Sequence, residues 1–272
     1  MRATELGRVL FAASFVGLGL LSLGSGDFAL NWQPVPPWVP WRAPLAYASG
    51  VMLVAGGLGL FFRRTAAYSA ILLTANVLIW LLLLRFPRVL ANPASVGMWL
   101  GFGETTTLVT AGWILLIGLP HDDNAVVAKL TSNGAGVRVA RILFAIALIP
   151  IGLSHLAYVK ATTDLVPAWL PNRTAFTYLT GSAHIAAGLG LLLAVLPRLA
   201  VTLEAVMLAS FAMLVWAPRI VATPAERLPA TAFLITTAIS GATWLVAGTL
   251  DRVPWLSLPR IAPATATTVS RI

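Results

Sequence analysis

VPAWLPNRTAFTYLTGSAHIAAGLGLLL, residues 166–193, decides the fold, because the chain contains it twice. At residues 35–62 stands VPPWVPWRAPLAYASGVMLVAGGLGLFF, and a constant shift of 131 residues (35 to 166) carries each position to its partner. Pro36, Trp38, Pro40, Arg42, Tyr47 and Gly50 match Pro167, Trp169, Pro171, Arg173, Tyr178 and Gly181. The same shift then pairs Pro87-Arg88 with Pro218-Arg219, and Thr105, Thr106 and Trp113 with Thr236, Thr237 and Trp244. One register kept from Pro36 to Trp113 marks an internal repeat.

Outward from this pair, charged and Pro-rich boundaries cut the chain into eight apolar runs: 9–26, 44–62, 65–84, 96–119, 142–159, 174–196, 199–217 and 228–250. Each is close to the roughly 20 residues that cross a 30 Å hydrocarbon core at 1.5 Å per residue. Lipid offers the backbone no hydrogen bonds, so spans of this length are helices. The expectation is an all-α membrane protein of eight transmembrane helices, two tandem four-helix repeats in parallel orientation. Residues 1–120 form the first unit, 121–137 a linker, 138–250 the second unit and 251–272 a tail, read as disordered or interfacial. Arg2, Arg8 and the apolar run after them also fit a signal peptide. The matching run lies mid-chain, so residues 9–26 are read as a first span.

Composition agrees. Of 272 residues, 58% are hydrophobic and only 10% are charged, too few to cover a globule in water. Mean hydropathy is +0.88. The net charge of +9 sits singly or in pairs at span ends, where topology uses it, so nucleic acid is excluded as a partner and the lipid bilayer is the expected one. Arg and Lys are in excess on the face shared by both termini and the linker, which places that face in the cytoplasm of a bacterial inner membrane. There is no cysteine, hence no disulfide, thiol redox chemistry or cysteine-held cluster.

Four ionisable residues lie inside spans, where each costs several kcal/mol and marks a candidate binding site. They are Glu104, His155, His184 and Glu204; their partners in the other copy are Ile235, Gly24, Leu53 and Leu73. Polar residues present in one copy alone suggest a specialised site. Counted down from the outer boundary they form a descending series, about 6 Å for His155 and about 15 Å for His184. That depth difference argues against both histidines sharing one haem iron. No His-x-x-x-His, carboxylate cluster or phosphate loop suggests a metal or ATP site. Gly181, His184 and Gly188 share one helix face, as do Gly50, Leu53 and Gly57, a spacing that lets helices approach closely. The Pro-Trp loops read as interfacial anchors, with Trp38 and Trp169 in the headgroup layer. The alternative is an aromatic lid, with Arg42 and Arg173 as anion contacts.

Three motifs of the second half, Gly152-Leu-Ser-His155, Pro167 to Pro171 and the helix from Leu179 to Leu192, resemble the DoxX/DoxD-like family of four-span membrane proteins. The first half joins the resemblance through the repeat. Described members are similar to the membrane subunit of a thiosulfate:quinone oxidoreductase, so the resemblance implies the membrane component of a quinone-linked system. Quinone would be the cofactor, other redox subunits the partners, and the chain itself would hold no covalently bound cofactor. The family's acidic residue in the second helix is His184 here and Leu53 in the first copy, which leaves Glu104, on another span, to supply an acid. A small-molecule transporter with its site between the repeats, and a non-catalytic scaffold, are the other classes that the residues allow.

Overall fold

The computed structural model describes residues 2–118 and 134–259, and every regular element among them is helical. We number the helices α1 (Ala3–Ser25), α2 (Arg42–Gly59), α3 (Ala66–Ala91), α4 (Val96–Gly118), α5 (Gly134–Ala157), a short α6 (Val159–Leu165), α7 (Arg173–Leu192), α8 (Pro197–Ala222) and α9 (Arg227–Gly248). The long helices start at residues 3, 42, 66 and 96 and again at 134, 173, 197 and 227, each pair 131 residues apart. Seven of the eight are long and apolar enough to cross a membrane, so the molecule is a polytopic, all-helical membrane protein. α2 is the exception, because Arg42, Pro44, Tyr47 and its four glycines dilute its hydropathy. It nonetheless runs the length of the bundle. Arg42 binds Asp27 and Val35 at one end, and the Leu60 carbonyl past the other end accepts from Arg8.

Two helices extend further than their composition implies. Pro87 and Pro218 lack the N–H that an α-helix requires, and their rings clash with the preceding turn. The chain absorbs this by widening to π-helix at Trp80–Arg85 and Ala212–Trp216, after which α-helix resumes to Ala91 and Ala222. Helices α1 and α5 also begin earlier than their apolar runs, since Arg8, Arg138 and Arg141 lie on helical turns that reach past the apolar core. The last part of the expected linker, residues 134–137, is therefore the first turn of α5; the rest of that linker lies outside the described residues. As far as residue 259 the tail touches the start of α8: the Leu196 N–H donates to the Ser257 carbonyl at 2.8 Å, and Arg198 stacks over the Trp255 ring at 4.2 Å.

Neighbouring helices form a closed circuit, α1–α2–α3–α4–α5–α7–α8–α9 and back to α1, with α4 and α9 also touching across its middle. Each half therefore lends its first helix to the last helix of the other half: α1 packs along α9, and α5 along α4. Small residues make these contacts close. A methyl group on Gly7 would meet the Gly241 carbonyl and Leu245. On Gly57 it would meet the Ala12 carbonyl at 2.7 Å, and on Gly188 the Ala145 carbonyl at 2.6 Å. The glycine faces of α2 and α7 are thus packing faces against α1 and α5. Phe11, Phe15, Leu18, Phe144 and Leu148 fill the core behind them.

Candidate functional site

His155 comes from α5, His184 from α7 and Glu204 from α8, three helices that are neighbours in the circuit. His184 Nδ1 and Glu204 Oε1 are 2.6 Å apart, and both side chains are sealed, at 1% and 0% exposure. At this distance the imidazole and the carboxyl group are hydrogen-bonded to each other. The second carboxylate oxygen, Oε2, is buried without a partner. The half-buried His155 ring stands edge-on to His184, with centroids 5.1 Å apart at 83°. Its Nδ1 meets Thr180 Oγ1 at 3.0 Å. Phe211, from α8, closes the group at 6.2 Å from one imidazole and 5.9 Å from the other.

This arrangement corrects the descending series expected from residue counting. A methyl group on Gly181 would meet the Cβ of His155, so His155 stands level with Thr180 and Gly181, two turns into α7. The two helices do not meet a common plane: α5 stops deep, and α6 carries the chain back to the start of α7. Counting from span boundaries therefore placed the histidines at different depths, whereas their rings touch. Depth does not bar the pair from a shared ligand, although each Nδ1 is already engaged, by Thr180 and by Glu204. The acid beside His184 is Glu204. Glu104, on α4, lies apart from that pair, within electrostatic reach of Arg85, Trp32 and His184. The buried Trp32 indole N–H points toward the Glu104 carboxyl group.

The Pro-Trp loops gather at one end of the bundle. Trp38 and Trp169 are 80% and 70% exposed, as rings in a headgroup layer would be. Arg173 donates from Nε to the Val166 carbonyl at 2.9 Å and from Nη2 to Thr163 at 2.6 Å. Arg42 makes the matching bond to the Val35 carbonyl at 2.5 Å and reaches Asp27 at 2.7 Å. In both copies the arginine ties its loop to the helix that follows. Arg42 differs in also lining a polar cavity beneath the loop.

Two cavities flank α4. One, of about 840 Å³, opens between α3, α4 and α5 and is lined almost wholly by apolar side chains, among them Trp99, Phe102, Trp113 and Pro150. The other, of about 320 Å³, lies at the Pro-Trp end and includes Asp27, Arg42, Arg85 and Arg88. Arg85 escaped the sequence reading because it closes an apolar run and resembles a topology charge. Its repeat partner is Trp216, so the contrast between copies that singled out the histidines was available for it too. Among the described residues, no three of His, Cys, Asp and Glu converge as a metal site. Compared with known proteins, the chain matches no family model, no curated protein and no solved structure.

Proposed function

We propose that this membrane protein handles protons at the His184–Glu204 pair, as the membrane component of a quinone-linked oxidoreductase system of DoxX-like type. The observation that carries the reading is the sealed 2.6 Å pair in contact with a half-buried imidazole. A proton given up at His155 would be replaced from the His184–Glu204 pair, and the pair, left one proton short, would regain it from the aqueous side before the next transfer. Quinone reduction takes up protons in an apolar phase, and electrons would come from a partner subunit. The unpartnered Glu204 Oε2 and the Phe211 ring suit a polar, aromatic headgroup approaching at His155. In this reading α2 also crosses the bilayer. The two four-helix units are then eight spans related by an axis along the membrane normal, with the Pro-Trp loops outside and both ends of the chain in the cytoplasm.

Extraction of the purified protein with organic solvent, followed by mass spectrometry, should recover quinone from the wild type. The double variant His184→Leu/Glu204→Leu, which restores the apolar pair of the first copy, should recover none. Equal quinone in both would remove the assignment. A second reading, a transporter with its site between the halves, is favoured by the place of Glu104, within reach of Arg85 in one half and His184 in the other. Uptake by proteoliposomes without added quinone, lost in Glu104→Gln, would select it.

A further inference from the structure

We infer that the polar cavity at the Pro-Trp end is a binding site for a small oxyanion, a phosphate group in the first instance. Arg42, Arg85 and Arg88 all line it, and so does one acid, Asp27. That acid is already engaged, by Arg42 at 2.7 Å and by Arg227 at 3.5 Å. The cavity therefore keeps an excess of positive charge beside a low-dielectric wall, where an anion is held far more strongly than in open water.

Arg85 is the decisive residue. It is only 8% exposed, and its Nη2 donates to the Asn31 carbonyl at 2.7 Å, which fixes the guanidinium. Its Nε–H is buried with no partner. A buried guanidinium at the wall of a cavity carries a charge that an oxyanion in the cavity would offset. Glu104 lies within electrostatic reach of Arg85 and balances part of its charge, but makes no hydrogen bond to it among the described residues. Arg88 is exposed and forms no ion pair among the described residues. The cavity also takes in Gly97 and Met98, in the first turn of the 23-residue α4, whose positive dipole end favours an anion.

The matching residues of the second half are engaged differently. There Trp216 replaces Arg85, and Arg219, the partner of Arg88, stacks on Trp216 at 5.8 Å and donates to the Asp164 carbonyl at 2.9 Å. The first copy is thus specialised for an anion. This rests on different residues from the histidine pair and stands or falls separately.

A phosphate group reaches this end of the bundle either free in solution or on an anionic lipid, and two probes separate the sources. Full-length protein in phosphatidylcholine nanodiscs is titrated calorimetrically with inorganic phosphate at low ionic strength. In parallel, native mass spectrometry of protein offered equal phosphatidylglycerol and phosphatidylcholine reads lipid preference. One arm should show binding. That binding should weaken at least tenfold in Arg85→Gln and Arg88→Gln and stay unchanged in Arg63→Gln, at the opposite end. Should Arg85→Gln fail to fold, the exposed Arg88 decides, with Arg88→Lys retaining part of the affinity that Arg88→Gln loses. Wild type that holds neither probe, or Arg88→Gln that binds as wild type does, overturns the site.

Discussion

His184 and Glu204 stand where the first half has Leu53 and Leu73, both fully buried. The fold therefore accepts two leucines at this place, and the polar pair is an addition to it. Removing one partner strands the other in a dry interior, so His184→Leu or Glu204→Leu alone should cost about 3 kcal/mol. The double variant should unfold near the wild-type temperature, because well-packed leucines replace a buried hydrogen-bonded pair at little cost. Thermal unfolding in detergent checks both; additive losses would mean that the pair is not coupled. Trp41 gives a smaller test. Its φ is 59°, a left-handed value that a bulky residue adopts only under strain, while Asn172 at the matching position has φ 48° and suits it. Trp41 is also 79% exposed, so little packing is lost when it is changed. Trp41→Asn should raise stability by about 0.5–1 kcal/mol in the same assay.

At the scale of the element, close approach through glycine makes its own prediction. A β-carbon at Gly188 meets the Ala145 carbonyl, backbone that cannot step aside, so Gly188→Ala should cost about 1–3 kcal/mol by pushing α7 off α5. Gly24, near the end of α1, meets nothing within 4 Å, and Gly24→Ala should gain about 0.5–1 kcal/mol from helix propensity. Paired melting curves for the two variants decide between packing and propensity. The elements themselves were legible because lipid-facing helices announce themselves by length and apolar content, and the Pro-Trp turns punctuate them. Their ends were less so. Arg8 and Arg141 sit on helical turns and bond carbonyls of neighbouring segments, Leu60 and Thr249, and hydropathy cannot distinguish that from a loop charge. The π-helical turns carry no hydropathy signal at all, and only the prolines after them hint at the adjustment.

For the whole molecule, the expected sidedness can be read with single cysteines, since the chain has none of its own. Asn92→Cys and Thr223→Cys should react with an impermeant maleimide added outside intact cells. Arg64→Cys should react only after permeabilisation; the reverse pattern would invert the topology. The two halves also meet at a titratable tie. Asp27, after α1, binds Arg42 of α2 and Arg227 of α9. Burial pushes its carboxyl up, but the Phe28 N–H and Arg42 outweigh that and hold it below the usual carboxylate range. A carboxylate with a lowered folded pKa stabilises above its unfolded value and loses that contribution as pH falls through the folded one. Wild-type stability should therefore drop in strong acid by more than that of Asp27→Asn, as unfolding between pH 5 and pH 2 would report. The candidate site was legible only as a set of residues. Which of them touch depends on where α5 stops relative to α7, and that is decided by how these two helices pack on each other rather than by any local pattern.

The exchange of first helices has a consequence for biosynthesis. Of these helices α1 leaves the ribosome first, yet its long companion α9 is the last of them to be made. Until then the notch around Gly7 and Gly17 faces lipid or a chaperone. A ribosome paused before residue 227 should thus leave α1 open to crosslinking with the insertion machinery, and the completed chain should release it. Assembly of this bundle closes on the helix that precedes all its others in the chain.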